Sequence, residues 1–370
     1  MSNDAPAVLT SAQAVRHAMQ LHLAGQLEQA ELIYRRVLET DPQNADAWHL
    51  LGIVLDRTGR IPQAFDCLRT ANQLLPRNPP ILTNLGFACL HAGKTEEAVA
   101  HYRAALEIDS DFVEARQALA HVLLSLGQEE AAAAHYQRVL ALAPQSHEAW
   151  NNYGSIMQRR GQLDEAEAAF RQAVAAKPDY VPSINNLGTL LRTMGHARQA
   201  ADCFRRCLQL DPNCAQAYNN LGLAMRDLRH YDQVRPCLEQ AVRLNPDLDE
   251  ALCNLVDTMR ESNDPDEARR VIDLMLGRRP SDALRVKRAM MMSIIPESVE
   301  RIQSERARMQ SELDDLARQP LMVRNPVEEV SIMSFFHAYH GLDDRPLVEA
   351  CARLFLHVVP DLVMIAPHCA

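Results

Sequence analysis

Apolar residues recur along this chain at helical spacing, and the spacing itself repeats. From residue 11 onward, apolar or small side chains fall at i, i+3, i+4 and i+7. A turn follows, then a second stripe at i, i+4 and i+7, then a proline. Steps of three and four residues put side chains on one face of an α-helix. The pattern predicts pairs of amphipathic helices joined by tight turns.

The pairs keep a strict period. Pro42, Pro76, Pro144, Pro178, Pro212, Pro246 and Pro280 lie on one lattice of 34 residues, with Ser110 at its vacant node. Ala30, Ala64, Ala98, Ala132, Ala166, Ala200 and Ala268 lie on a second lattice of the same period, with Val234 in the gap. Eight units follow without insertion or deletion: 11–44, 45–78, 79–112, 113–146, 147–180, 181–214, 215–248 and 249–282. Within a unit, positions 4, 7, 8 and 11 share a face of the first helix, and positions 20, 24 and 27 share a face of the second. Glycine near position 15, as at Gly25 and Gly161, suits the left-handed residue that closes a helix. Proline at position 32 ends the second helix. Small residues at position 8 (Gly52, Gly86, Gly154, Gly188, Gly222) and alanine at position 20 are expected to face each other and let the two helices cross closely.

The unit resembles the tetratricopeptide repeat, with its 34-residue pattern W-x2-L-G-x2-Y…A-x3-F…P. The second unit carries Trp48, Leu51, Gly52, Leu55, Ala64, Leu68 and Pro76, and the fifth carries Trp150, Tyr153, Gly154, Met157, Ala166, Phe170 and Pro178. The resemblance covers residues 11–282. It implies an all-α fold, a right-handed superhelical solenoid of about eight helix pairs, because no unit can bury its apolar face alone. Trp48 or Trp150 truncated to Ala is expected to cost about 3–5 kcal/mol as a buried aromatic. Unit 7 departs most from the pattern, with Arg229 at the usual glycine, Val234 at the usual alanine, and Pro236 expected in the first turns of its second helix. Unit 8 has Val256 and Asn263 at positions 8 and 15, and these last two units are expected to be looser than units 2 to 6.

Composition narrows the classes. The chain is 47% hydrophobic and 23% charged, which is globular rather than disordered. Lys and Arg number 38 against 48 Asp and Glu, a net charge of −10 that argues against binding nucleic-acid phosphates. Nine cysteines without a CxxC pair read as reduced core residues of a cytoplasmic protein. The start shows no secretory leader pattern. The apolar stretch from Leu354 to Ala366 is interrupted by His357, Pro360 and Asp361, too short and broken to span a bilayer, so no membrane association is expected.

The candidate binding residues are asparagines. On the first helix, positions 2, 6, 9 and 13 point away from the buried stripe, toward the inner groove of such a stack. Position 6 reads Arg16, Leu50, Asn84, Ala118, Asn152, Asn186, Asn220 and Asn254. Asn151, Asn185 and Asn219 add a short row at position 5. Asn is a poor helix former, and its amide offers one acceptor and two donors. Two readings are open: the row holds the main chain of an extended peptide, or it joins neighbouring repeats. The arm of the O-linked N-acetylglucosamine transferase family carries a similar asparagine ladder, matched here by Asn152, Asn186, Asn220 and Asn254, and that resemblance implies the peptide role. Asn186→Ala with Asn220→Ala is then expected to weaken peptide binding and leave the thermal midpoint within a degree or two.

Beyond Asp282 the period stops. Residues 297–318 predict one amphipathic helix with Val299, Ile302, Met309, Leu313 and Leu316 on a face. Arg306 breaks that stripe, which favours packing on the end of the solenoid over a coiled coil. Pro320 and Pro326 mark a linker. The string from Phe335 to Leu347, with Ala338, Tyr339, Gly341, Asp344 and Arg345, resembles the segment that joins repeats to the first catalytic lobe in bacterial relatives of the transferase, the SPINDLY family. The expected organisation is a tail (1–10), eight repeats (11–282), capping and linker helices (283–320) and the start of a catalytic region (321–370).

The resemblance implies a protein O-glycosyltransferase using UDP-N-acetylglucosamine or GDP-fucose. Yet the chain stops at Ala370, and it contains no Gly-rich phosphate loop, βαβ alternation or paired acid and base. No catalytic residue and no cofactor can be assigned within it, and by itself it is expected to bind a protein or peptide and transfer no sugar. His337 and His340 share a helix face without an evident third ligand, and Cys203 and Cys207 lie four apart with Cys207 at a core position; packing is the expectation for the cysteines and no metal for either pair. His368 and Cys369 have no visible partners.

Overall fold

A computed structural model describes residues 10–323, 330, 343 and 345–358 of the chain. Among them are nineteen α-helices and no strand. The repeats form eight helix pairs: α1 Ser11–Leu23 with α2 Leu27–Thr40, α3 Ala45–Arg57 with α4 Ile61–Leu74, α5 Pro79–His91 with α6 Thr95–Ile108, and α7 Val113–Ser125 with α8 Glu129–Leu142. Then come α9 His147–Arg159 with α10 Leu163–Ala176, α11 Val181–Thr193 with α12 Ala197–Leu210, α13 Ala215–Asp227 with α14 Tyr231–Leu244, and α15 Asp249–Glu261 with α16 Pro265–Arg278. The boundaries follow the 34-residue lattice. Residues 1–186 and 187–370 form two compact units.

In the first unit, consecutive helices stack as hairpins around alanines 18, 30, 64, 98, 132 and 166, all wholly buried. The turns between paired helices use the glycines at position 15; Gly59 and Gly127, for example, have φ of 76° and 74°, a region costly for residues with a Cβ. The small residue at position 8 serves a different neighbour from the one expected. A Cβ on Gly52 would lie 2.6 Å from Leu68 Cγ, and one on Gly154 would lie 2.9 Å from the Phe170 ring. Position 8 therefore makes room for the large side chain at position 24 more than for the alanine at position 20. Tyr34, Leu68, Tyr102, Tyr136 and Phe170 fill that space and are almost wholly buried. Trp48 and Trp150 are half-buried, unlike the enclosed aromatics expected. Their indole N–H groups donate to the carbonyls of Pro42 (2.9 Å) and Pro144 (2.8 Å). Truncation thus removes a hydrogen bond and part of an apolar face, for about 1–3 kcal/mol. Arg116, at the same register in the fourth unit, donates to the carbonyl of Ser110, the residue at the vacant proline node.

In the second unit the hairpins follow the same rule, with a Cβ on Gly188 falling 2.7 Å from Phe204. Arg229 and Asn263 replace the turn glycine yet keep its conformation, with φ of 62° and 61°. Asn263 also bridges to the following segment: its amide donates to the carbonyl of Ile295 at 2.7 Å and accepts that residue's N–H at 2.9 Å. Pro236 lies in the first turns of α14 as expected, but as its sixth residue it is past the positions whose N–H groups are free. Its missing N–H would have met a carbonyl inside the helix, so it weakens α14.

The last three helices, α17 Asp282–Ala289, α18 Val299–Leu316 and α19 Arg345–Val358, share a core of Val286, Met290, Met309, Leu313, Leu347 and Leu354. The expected amphipathic helix is present as α18 and buries Met309, Leu313 and Leu316 in this core, but Val299 is 57% exposed and lies off its buried face. Glu305 is buried in that helix, where it accepts hydrogen bonds from Ser293 N (2.9 Å) and Ser293 Oγ (2.8 Å) and pairs with Arg301 at 2.6 Å. This core joins residues on both sides of position 320, the expected domain boundary. The string from Phe335 to Gly341, with His337 and His340, lies outside the described residues, as do Pro326, His368, Cys369 and the first nine residues.

Candidate functional site

Helix α5 and its counterparts α7 and α9 turn the same register toward one groove in the first compact unit. Glu114 and Glu148 come from position 2, Ala118 and Asn152 from position 6, and Phe87 and His121 from position 9. Leu90, Gln117, Tyr136 and Tyr180 complete the lining of about 520 Å³. Six of the ten lining residues thus come from positions 2, 6 and 9, among those anticipated to face inward. Its floor is apolar and aromatic: Phe87 is 36% exposed and stands edge-on to Tyr102, with ring centroids 5.7 Å apart. Its rim is acidic, and Gln117 Nε2 donates to a Glu148 carboxylate oxygen at 2.9 Å. Sequence reasoning missed Phe87, Glu114 and Glu148, although their positions 9 and 2 were assigned to this face.

The asparagines behave differently from a free row. Asn152 is half-buried, lines the groove, and donates to the Tyr136 hydroxyl at 3.0 Å. Asn84 donates to His49 Nε2 at 2.8 Å and to the carbonyl of Pro80 at 3.0 Å. Burial holds the His49 imidazole below its usual pKa, which keeps it neutral and able to accept that N–H. Asn186 donates to Asn151 Oδ1 at 3.0 Å, and Ser183 Oγ donates to the same oxygen at 3.1 Å. Asn185 is half-buried beside it on α11.

In the second compact unit, Asn254 donates to Asn219 Oδ1 at 2.9 Å, and Asn219 donates to Glu250 at 3.1 Å. Asn220 donates to Thr189 Oγ1 at 3.4 Å. A rule emerges: position 6 of one repeat donates to position 5 of the repeat before it, as Asn84 to His49, Asn186 to Asn151 and Asn254 to Asn219. Asn151, Asn219 and Asn220 are 8%, 0% and 4% exposed. For Asn220 the expected solvent-facing amide is corrected, and the amides of Asn151 and Asn219 in the flanking row are likewise used between helices. Asn186→Ala with Asn220→Ala therefore removes two hydrogen bonds made within the stack.

Burial governs the cysteines. It pushes the thiols of Cys67 and Cys351 up to about 11 and that of Cys207 up to about 12, which makes them poor nucleophiles and poor metal ligands at neutral pH. Cys203 is half-buried beside Cys207 on α12. No cluster of metal-ligating side chains occurs among the described residues, and no helix among them is long and apolar enough to cross a membrane.

Helix pairs of constant length, glycine turns and a small residue facing a large one define a class, and the chain is a tetratricopeptide-repeat protein. Family models agree: TPR repeat matches residues 88–127, and tetratricopeptide repeat matches 181–214 and 215–248. The middle TPR-like domain of cilia and flagella-associated protein 70 matches 117–194, and anaphase-promoting complex subunit 3 matches 24–105. Over 106 residues the chain is 32% identical to the probable UDP-N-acetylglucosamine–peptide N-acetylglucosaminyltransferase SPINDLY of Arabidopsis thaliana. That stretch is 29% of this chain and 12% of the plant protein, so the match spans only a small part of that relative. Among solved structures, the APC/C hetero-tetramer Cut9–Hcn1 superposes with a TM-score of 0.54 at 20% identity, over 73% of this chain and 54% of the other. A tetratricopeptide repeat protein from Parabacteroides merdae gives 0.50 at 19% identity, over 67% of this chain and 98% of the other. At these identities the two structures share the fold alone.

Proposed function

We propose that this chain is a cytoplasmic protein-binding arm whose inner helix face holds an extended segment of a partner, in the service of a protein O-glycosyltransferase. The observation that carries the reading is the groove over repeats three to five, where positions 2, 6 and 9 of successive first helices converge on one trough. Repeats stacked in register offer equivalent side chains at a regular step, which suits a guest in extended conformation. Asn152 supplies an amide at the trough, with one N–H already held by Tyr136. Asn84, Asn186 and Asn254 are half-buried at the same register and act as further contacts. Asn151, Asn185 and Asn219 support them from position 5, and Asn220 supports from within the stack. The glycosyltransferase part rests on the partial SPINDLY match, and no residue of this chain is assigned to the sugar donor or to the transfer.

Selection of a random peptide library on the immobilised chain tests the binding role. Peptides that bind the wild type and lose at least tenfold in affinity on Phe87→Ala with Asn152→Ala support it; selected peptides indifferent to both changes refute it. The transferase role has its own test. Fused ahead of nucleotide-sugar transferase lobes, the chain should direct glycosylation to the proteins it captures, and unchanged acceptor choice would refute the arm.

A further inference from the structure

The groove over repeats three to five has a charge that the rest of its chemistry does not require. Two carboxylates, Glu114 and Glu148, stand on its rim, each in the first turn of its helix. None of the residues lining the groove is Lys or Arg. Both glutamates are exposed. Gln117 binds one oxygen of Glu148, which orients that carboxylate and leaves its charge uncancelled. Beneath the two acids lies an apolar floor of Phe87, Leu90, Ala118 and Tyr136. Phe87, 36% exposed, leaves part of its ring open to the groove as an apolar contact.

We infer that the groove takes a partner segment in which an apolar side chain is flanked by lysine or arginine. The apolar side chain seats on Phe87 and Leu90. The basic neighbours lay their methylenes across the same floor and bring their cationic ends to Glu114 and Glu148. An acidic segment of the same shape would meet two like charges with no Lys or Arg among the lining residues; the cation of Lys177, beside the lining, stands over the Tyr180 ring, and the acidic segment binds more weakly. This deepens the peptide-arm reading of the groove and rests on it.

Fluorescence anisotropy of the full chain with three labelled peptides tests the inference: Lys-Leu repeats flanked by Gly-Ser, the Glu-Leu counterpart, and Gly-Ser alone. The basic peptide is expected to bind at least about tenfold more tightly than the acidic one. Glu114→Gln with Glu148→Gln should erase most of that gap. Glu130→Gln with Glu165→Gln, an equal charge change on the second helices, should leave it intact. Phe87→Ala should weaken the basic peptide while both glutamates remain. Three results would overturn the inference and spare the peptide-arm reading: equal affinity for the acidic peptide, a basic preference that survives loss of both groove glutamates, or equal loss in the control variant. Binding of none of the three peptides to the wild-type chain overturns the inference; failure of the library selection as well would take the arm reading with it.

Discussion

Ala118→Asn should make the protein more stable, although it puts a poorer helix former into a helix. Tyr34, Tyr102 and Tyr136 are each wholly buried at position 24 of their repeats. The Tyr136 hydroxyl accepts a hydrogen bond from Asn152, while the hydroxyls of Tyr34 and Tyr102 find no partner. Sixteen residues separate Tyr136 from Asn152. The same step leads from Tyr102 to Ala118 and from Tyr34 to Leu50, where no amide is available. The orphan hydroxyls therefore sit where the asparagine is missing. An unmatched buried hydroxyl costs about 1–3 kcal/mol, and Asn in place of Ala costs at most about 0.7 kcal/mol in helix propensity. The net gain is about 1 kcal/mol. Urea unfolding followed by Trp150 fluorescence, in the adjacent repeat, reads it out: with a slope of roughly 3 kcal/mol per molar, the midpoint rises by about 0.3 M. In a Tyr102→Phe background the gain should vanish, because no hydroxyl remains to be matched. An unchanged midpoint, or a gain that persists with phenylalanine, would refute the pairing rule.

The other predictions address turns, tethers and titration. Arg229→Gly should stabilise the seventh repeat by about 1 kcal/mol, since a left-handed turn strains any residue with a Cβ; calorimetry that shows a lower midpoint would contradict this. Asn219→Ala should cost about 1–3 kcal/mol, because it strands the Asn254 amide and removes a donor from Glu250, and a thermal midpoint equal to wild type would show the tether to be idle. Burial pushes the hydroxyls of Tyr34 and Tyr136 up to about 12, while an unfolded tyrosine ionises near pH 10. Their contribution is therefore complete below pH 10 and is lost as pH rises toward 12; Tyr34→Phe should flatten that alkaline decline in urea titrations. With its thiol shifted upward, Cys207 should resist iodoacetamide at pH 8 in the folded chain while the half-buried Cys214 reacts, as peptide mass mapping would reveal.

Much of the fold was legible because a solenoid writes its geometry once per repeat. Helix ends, turn glycines and buried alanines all fall on the 34-residue lattice, so a residue's position alone predicts its burial. What escaped that reading depends on pairs of positions. The lattice marks position 8 as small, but only the packed hairpin reveals that the side chain it accommodates is at position 24, as Gly154 does for Phe170. It marks Trp150 as a signature residue, yet its indole edge stays at the surface to reach the carbonyl of Pro144. Glu305 lies on a stretch that periodicity reads as polar, and its burial follows from the Ser293 donors twelve residues away. Phe87 and Glu114 differ between units, so the repeat pattern singles out neither.

The asparagines explain why the two original readings are not rivals. An amide in a helix costs propensity, and burying it costs more unless its hydrogen bonds are made. In Asn186 and Asn254 one N–H is fixed to the amide of the preceding repeat. That bond fixes the side-chain rotamer, and a fixed rotamer loses less entropy when a guest arrives. A row used only to join repeats would need no half-exposed member, and a row used only for a guest would need no buried one. Position 5 buries Asn151 and Asn219, whereas at position 6 Asn152 and Asn186 remain half-buried and Asn220 alone is enclosed. On the proposed peptide-arm reading, the joining bonds set the aim of the amides that stay within reach of a guest, so that stability and recognition draw on one set of side chains.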